Sequence, residues 1–323
     1  MEKIDLKDRK ILYQLDMNCR QSNTQIGKAV GLSKDVVKYR IERMEKDGVI
    51  AGYWTAINTF ALGYNVFRIY INFQKMSMKK KKEIIDYFVN SKNAWYVGSA
   101  KGEIDFNVIL WVKNIYEFYV YWREALSKYE DFFKETYISI YVQAVDYKKS
   151  YLLNENDKDT DRELYRITCG DKVEKIDEID VKILNELSIN ARVSIIELAK
   201  KIGGTSQKIM YRIENLIKKG IVKSFRVDIN YPKLNLQKYK LDIYLTEQKF
   251  FKPLSEFLAK KPYMQCLNCV IGWADIEPEF IVSDINQLTS IVDELNIKFG
   301  NIIKSYSYWL SIQKHHERWL PEI

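Results

Sequence analysis

Gly31-Leu32-Ser33-Lys34-Asp35-Val36-Val37-Lys38-Tyr39-Arg40-Ile41-Glu42-Arg43-Met44 contains a glycine that can end one helix and a serine that can cap the next. In the run that follows, Val37, Ile41 and Met44 fall on one helical face. Upstream, Asp5 can cap a first helix whose Ile11, Leu12 and Leu15 share a face, and Ser22 to Gln25 fits a capping box that opens a second. Gly48 can end the third. Three short helices with a tight glycine turn between the second and third describe a helix-turn-helix. The alternating segment Val49 to Ile57 reads as a wing or linking strand.

The same pattern occurs again, without a gap, when Asp8 is laid on Asp180. Ile4-Asp5 falls on Ile176-Asp177, Ile11-Leu12 on Ile183-Leu184, Arg20 on Arg192, and Tyr39-Arg40-Ile41-Glu42 on Tyr211-Arg212-Ile213-Glu214. Roughly 20 of about 50 positions are identical, which marks a duplication. Asp177, Ser194 and Thr205 repeat the caps, Gly203 and Gly220 repeat the stops, and Ile221 to Ile229 repeats the strand.

After each helical block comes a strand-rich pattern. In the first copy the strands read as Val66–Ile71, Trp95–Val97, Asp105–Val112 and Ile138–Val145, with helices over Lys79–Asn90 and Ile115–Tyr129. The second copy gives strands at Leu241–Leu245, Cys266–Ile271, Glu279–Val282 and Ser305–Ile312, with helices over Pro253–Lys260 and Ile285–Phe299. The order β-α-β-β-α-β is ferredoxin-like. The expected fold class is α+β, with boundaries at 1–58, 62–148, 173–230 and 236–316. Residues 149–172, with the polar run Asn154 to Asp159, read as a linker.

Composition agrees with this layout. The 323 residues are 47% hydrophobic and 29% charged, enough for more than one core, and the net charge of +8 favours a polyanionic partner. Four cysteines make no disulfide framework, and the start MEKIDLKDRK has no leader-type apolar run, so a cytoplasmic location is expected with no membrane contact.

These motifs resemble the leucine-responsive/asparagine-operon (Lrp/AsnC) regulators. The run Gly31-Leu32-Ser33, Val37, Arg40-Ile41, Met44, Gly48-Val49-Ile50 carries the likeness, with Ile4-Asp5, Asp8 and Arg20 upstream. The resemblance implies a DNA-binding first module and a second, RAM-type module that self-associates and senses small molecules, often amino acids. Departures at Gly204 and Thr205 put an extra glycine before the second reading helix. Double-stranded DNA is the expected partner. Expected contacts in the first copy are Ser33, Lys34, Asp35, Lys38 and Tyr39, with Arg40 and Arg43 on phosphates. In the second they are Thr205, Ser206, Gln207, Lys208, Tyr211 and Arg212. Both arginines 40 and 212 also have neighbouring glutamates as alternative partners. Because the two helices differ, the joined copies are expected to read unlike half-sites as an intramolecular pseudo-dimer.

The resemblance points to the Gly-x-x-Asp turns for an effector: Gly98, Ser99, Gly102 and Asp105 in one copy, Gly272, Trp273 and Asp275 in the other. A tight hairpin would need the same residues for geometry alone. Cys266 and Cys269 lie in a strand, where residues three apart face opposite sides, so no metal site is expected. His315 and His316 are read as surface residues beyond the last strand, and no catalytic arrangement or cofactor is assigned. Two alternatives stand beside the regulator: a sirohaem decarboxylase-like enzyme of the same layout, and a protein that coats DNA with little sequence preference. The absence of histidine from Trp95–Lys101 and Cys266–Cys269 speaks against the enzyme.

Overall fold

The computed structural model describes residues 4–153, 161–170 and 172–323. The first copy runs α1 (Leu6–Met17), α2 (Asn23–Val30), α3 (Lys34–Lys46), β1 (Ile50–Ile57), β2 (Asn65–Phe73), α4 (Met78–Val89), β3 (Ala94–Gly102), β4 (Phe106–Val112), α5 (Ile115–Tyr129), β5 (Phe133–Tyr147) and β6 (Glu163–Thr168). The second runs α6 (Glu178–Ile189), α7 (Ile195–Ile202), α8 (Ser206–Lys218), β7 (Val222–Ile229), β8 (Gln237–Leu245), α9 (Phe251–Ala259), β9 (Met264–Ile271), β10 (Glu277–Val282), α10 (Ile285–Phe299) and β11 (Ile303–Glu317).

Local chemistry sets the helix ends. Asp5 accepts from the Asp8 amide while the Asp8 carboxylate takes the Asp5 amide, and Asp177 with Asp180 repeats this reciprocal cap. Ser33 and Thr205 accept from the amides of Val36 and Lys208 to open α3 and α8. Gly31 ends α2 in the left-handed region at φ +68°, where a side chain is disfavoured. The second copy uses two positive-φ glycines at this turn, Gly203 and Gly204.

The segment read as a wing or linking strand joins the copies. β1 pairs antiparallel with β7, and Trp54 lies opposite Arg226.

The two ferredoxin-like units also meet edge to edge. One has the strand order β5-β2-β4-β3 and the other β11-β8-β10-β9. β3 pairs with β11 and β9 with β5, so eight strands close into a ring, and β6 adds to β5. The last strands are longer than the sequence suggests because each serves two neighbours. β5 pairs with β2 over its first half and with β9 over its second, and β11 treats β8 and β3 the same way. Closure pairs the edge strands of each unit with those of the other, which removes the paired edges as templates for aggregation. Outside the ring, Ile84, Phe88, Phe118 and Trp122 pack α4 and α5 on one unit. Leu254, Leu258, Leu288 and Leu295 pack α9 and α10 on the other.

Two expectations are corrected here. The linker 149–172 contains elements of its own: a 3-10 turn at Ser150–Leu152 that buries Tyr151 and Leu152, and the strand β6. Its Asn154–Asp159 run lies outside the described residues. His315 and His316 lie within β11, not beyond it, and both are half-buried. Burial, with Lys81 nearby for His315 and Arg318 for His316, holds both imidazoles below the usual histidine range.

Candidate nucleic-acid interface

Each third helix buries one stripe and leaves the rest of its first turns in solvent. Val37, Ile41 and Met44 are buried on α3, and Ile209, Ile213 and Leu216 on α8. The stripe leaves Ser33, Lys34, Asp35, Lys38 and Tyr39 exposed together on the first copy. On the second, Thr205, Ser206, Gln207, Lys208 and Tyr211 are exposed in the same way. Val36 and Met210, 40% and 49% exposed, belong to the same faces and were not among the expected contacts. Their signal in the sequence is an apolar residue at the start of a helix but off the core stripe.

The two expected phosphate contacts, Arg40 and Arg43, and the expected DNA contact Arg212 turn inward instead. Arg40 Nη1 lies 2.8 Å from both Asp5 and Asp8, and Arg43 Nη2 lies 2.6 Å from Asp8. Arg212 Nη1 reaches Asp177 at 2.9 Å and Asp180 at 2.8 Å. The partners are the capping aspartates of the first helix, not the neighbouring glutamates. These arginines are spent on pinning the third helix to the first, and the unit charge each would offer DNA is already matched.

The two helix-turn-helix blocks grip each other twice, with roles exchanged. Arg20 Nη1 donates to the carbonyls of Ala191 at 2.6 Å and Val193 at 2.9 Å. Arg192 Nη1 donates to the carbonyl of Cys19 at 2.7 Å. The Cys19 amide donates to the Phe225 carbonyl, and the Ala191 amide to that of Tyr53. Behind this contact, Arg226 is fully buried and its Nη2 sits 2.7 Å from Asp16, which also takes Lys149. Arg226 and Lys149 more than offset the burial that would raise Asp16, and hold its carboxyl below the ordinary range.

The Gly-x-x-Asp turns are used by the protein itself. Asp105 accepts from the Phe73 amide at 2.9 Å, and Asp275 from the Leu245 amide at 2.7 Å, so each ties off the end of a strand. A side chain on Gly102 would meet the Tyr308 carbonyl at 2.6 Å, and one on Gly272 the Ile138 carbonyl at 2.6 Å. Each turn thus lies against a strand of the other copy, Gly102 against β11 and Gly272 against β5. Gly98 is crowded by the Tyr96 ring, Trp273 is tilted against Tyr70 and Tyr137, and Ser99 Oγ lies 2.8 Å from His315 Nε2. Cys266 is buried in β9 and Cys269 half-buried. Among the described residues, no helix is long and apolar enough to cross a membrane.

With both reading helices in view, the comparisons agree. The family model described as winged helix-turn-helix DNA-binding matches residues 4–51 and again 176–223. An uncharacterised HTH-type transcriptional regulator of Pyrococcus abyssi is 32% identical over 126 residues, which span 37% of this chain and 81% of that protein. A counterpart from Pyrococcus furiosus is 34% identical over 128 residues, covering 38% and 83%. The chain belongs to the HTH-type transcriptional regulators. It carries a winged helix-turn-helix followed by a ferredoxin-like unit twice in tandem, which gives its α+β fold. The crystal structure of a sirohaem decarboxylase covers 96% of this chain and 92% of its own, at a TM-score of 0.64 and 11% identity. At that identity the likeness concerns the fold.

Proposed function

We propose that this chain, which resembles the Lrp/AsnC regulators, is a sequence-specific DNA-binding transcriptional regulator whose two halves act as one intramolecular pseudo-dimer. The observation that carries the reading is a pair of exposed third helices with unlike faces, held on one base by β1–β7 and the Arg20–Arg192 exchange. The N-terminal turn of each helix enters a major groove, with Lys34, Lys38 and Lys208 beside phosphates. Gln207 can bond an adenine edge in bidentate fashion, worth about 1–3 kcal/mol of discrimination. Val36, Tyr39, Met210 and Tyr211 offer apolar contact to thymine methyl groups. Because the faces differ, the site has unlike halves, roughly one or more helical turns apart. Binding of an amino acid-like effector and association through the ferredoxin-like units belong to the same reading.

The test is a titration on the DNA upstream of the protein's own gene and on a scrambled fragment, at several salt concentrations, followed by footprinting. Preference for the native fragment, with log affinity falling linearly in log salt, supports the regulator. Equal affinity for both fragments replaces it with a DNA-coating protein. A strictly palindromic footprint removes the unlike half-sites, and no binding at low salt rejects the DNA reading.

One observation favours a second reading, an enzyme acting on a sirohaem-like tetrapyrrole. The fold shared with the decarboxylase spans nearly the whole chain, and His315 lies on an inner pairing strand within reach of Ser99. Incubation with sirohaem and mass analysis for a product that has lost carbon dioxide decides it.

A further inference from the structure

We propose that the open edge of β11 is a docking groove for an extended segment of a partner protein, which adds there as an antiparallel strand with an aromatic and an aliphatic side chain turned inward. This goes beyond the DNA reading and does not depend on it. The first half already shows such an arrangement, made within the chain. β6 lies antiparallel on β5, with Thr168 opposite Gln143 and Tyr165 opposite Asp146. The Cys169 amide continues the pairing to the Val142 carbonyl at 2.7 Å. The chain then passes the 3-10 turn Phe60–Leu62, where the Glu174 amide donates to the Ala61 carbonyl and a side chain on Gly63 would meet Val173 at 3.6 Å.

The second half builds the same groove and leaves it open. Leu310 lies opposite Tyr239 as Ile140 lies opposite Phe67, so Ile312, Gln313 and Lys314 correspond to Val142, Gln143 and Ala144. Beyond Leu310, β8 no longer pairs with β11, and among the described residues no other strand takes that side. The opposite side is held by β3 as far as Glu317. The residues after β11 do not return along it: the Arg318 amide donates to the Trp95 carbonyl, and the Tyr64 hydroxyl to the Glu322 carbonyl. Ile312 is consequently 56% exposed where Val142 is half-buried. The space over this edge measures about 760 Å³ and extends to the turn Tyr231–Leu234, the counterpart of Phe60–Leu62. Its wall includes Trp54, Asp228, Tyr231, Ser311, Ile312 and Lys314.

A strand edge of this kind takes another strand, with main-chain pairing for affinity and alternate side chains for specificity. On β6, Tyr165 and Ile167 turn inward, and the Arg226 guanidinium lies 5.5 Å from the Tyr165 ring. Trp54 holds the place of Arg226 in the other half, stacked on Trp319 at 3.8 Å and 15°. A guest's inward residue thus meets a flat aromatic wall, which suits an aromatic side chain. On the outer face, Gln143 bonds Thr168 and Arg166, and its identical counterpart Gln313 is exposed. Lys314 reaches Asp228 at 3.2 Å where the first half has Ala144 and Ala56. An exposed pair of this kind is worth about 0–1 kcal/mol, so an entering strand can part it. Each chain has one β6 and already uses it on β5, so a second copy would open one groove to fill another. The occupant is therefore a segment of a different protein.

The test titrates a labelled peptide of residues 162–170, carrying Cys169→Ser, onto the full chain by fluorescence anisotropy, with hydrogen exchange read by mass spectrometry at saturation. Saturable binding below about 100 µM is expected, with slowed exchange over residues 311–317 and none over 141–147. Alternate residues of an antiparallel strand face the same neighbour, so the Cys169 bond puts the amides of Tyr165 and Ile167 on the pairing side too. The same peptide N-methylated at those two residues keeps its side chains and is expected to bind at least about tenfold more weakly. This control leaves the protein, and hence its folding, unchanged. The proposal is overturned if the peptide does not bind at millimolar concentration, if the N-methylated form binds as well, or if protection falls on 141–147, where the peptide would have displaced β6. Protection of 311–317 that grows with protein concentration alone would overturn it in favour of a second copy.

Discussion

The first half of the chain and the second half make the same contacts at their rims and opposite ones inside. Arg20 and Arg192 perform one task twice, as do Asp105 and Asp275 at the strand ends. Toward the middle the equivalence stops. Arg68 and Lys240 hold the same place in β2 and β8, as Tyr70 and Asp242 do. Two residues beyond the turn aspartates, Asn107 stands in one half and Glu277 in the other. Glu277 takes both cations, Arg68 from across the ring and Lys240 from its own half. In β1 and β7, Trp54 meets not a second tryptophan but Arg226, with the guanidinium 5.7 Å from its ring. Two identical chains on a twofold axis must place each axial residue against its own copy. Joining the halves removes that constraint, so one side can carry the acids and the other the cations and rings.

The largest expected effect breaks this complementarity. Glu277→Leu leaves Arg68 and Lys240 buried without their shared carboxylate and is expected to cost about 3–5 kcal/mol. Asn107→Leu at the equivalent place removes an oxygen that has no partner among the described residues and is expected to change stability by less than about 1 kcal/mol. Denaturant unfolding of the two variants reads the contrast, and equal losses would mean that the halves are not specialised.

Asp16 is the next test. It sits in α1 where α6 has Ser188, and it takes Arg226 and Lys149. Its carboxyl is held below its ordinary value, so the unfolded chain binds the proton more tightly than the folded one. Its contribution is complete above roughly pH 4 and is lost as pH falls through the folded value. Asp16→Asn is therefore expected to cost about 3 kcal/mol near pH 7, and progressively less in acid below roughly pH 4. Glu277 runs the other way. Burial outweighs Lys240 and Arg68 and raises it, so its stabilisation weakens as pH rises above the ordinary carboxylate range. Urea melts from acid to neutral pH separate the two signs.

The reading helices sharpen the comparison at lower energies. Gln207→Ala is expected to lose about 1–3 kcal/mol at one half-site only and to relax base preference there, measured by footprinting with base substitutions. A loss spread evenly over both half-sites would count against unlike reading. Lys38→Ala is expected to weaken binding to all sequences alike and to lower the salt slope by about one.

Much of this molecule was legible in the chain itself. The duplication shows when one half is laid over the other, and the caps at Asp5 and Asp177, the stop at Gly31 and the order of helices and strands follow from residues within a few positions of each other. Capping and helical or strand periodicity act over three or four residues, so neighbouring side chains decide them. The exposed faces of α3 and α8 were legible for the same reason, apart from Val36 and Met210. Other features waited for the tertiary structure. Arg40, Arg43 and Arg212 read as DNA contacts, with neighbouring glutamates as the alternative for Arg40 and Arg212, until α1 and α6 brought aspartates more than thirty positions away against them. The chain shows four strand edges of like composition, and nothing local says that β3 takes β11, that β5 takes β9, or that β11 carries His315 up to Ser99. Packing chose those partners, because closing both edges of each unit at once pairs their backbone groups and puts Arg68 against Glu277.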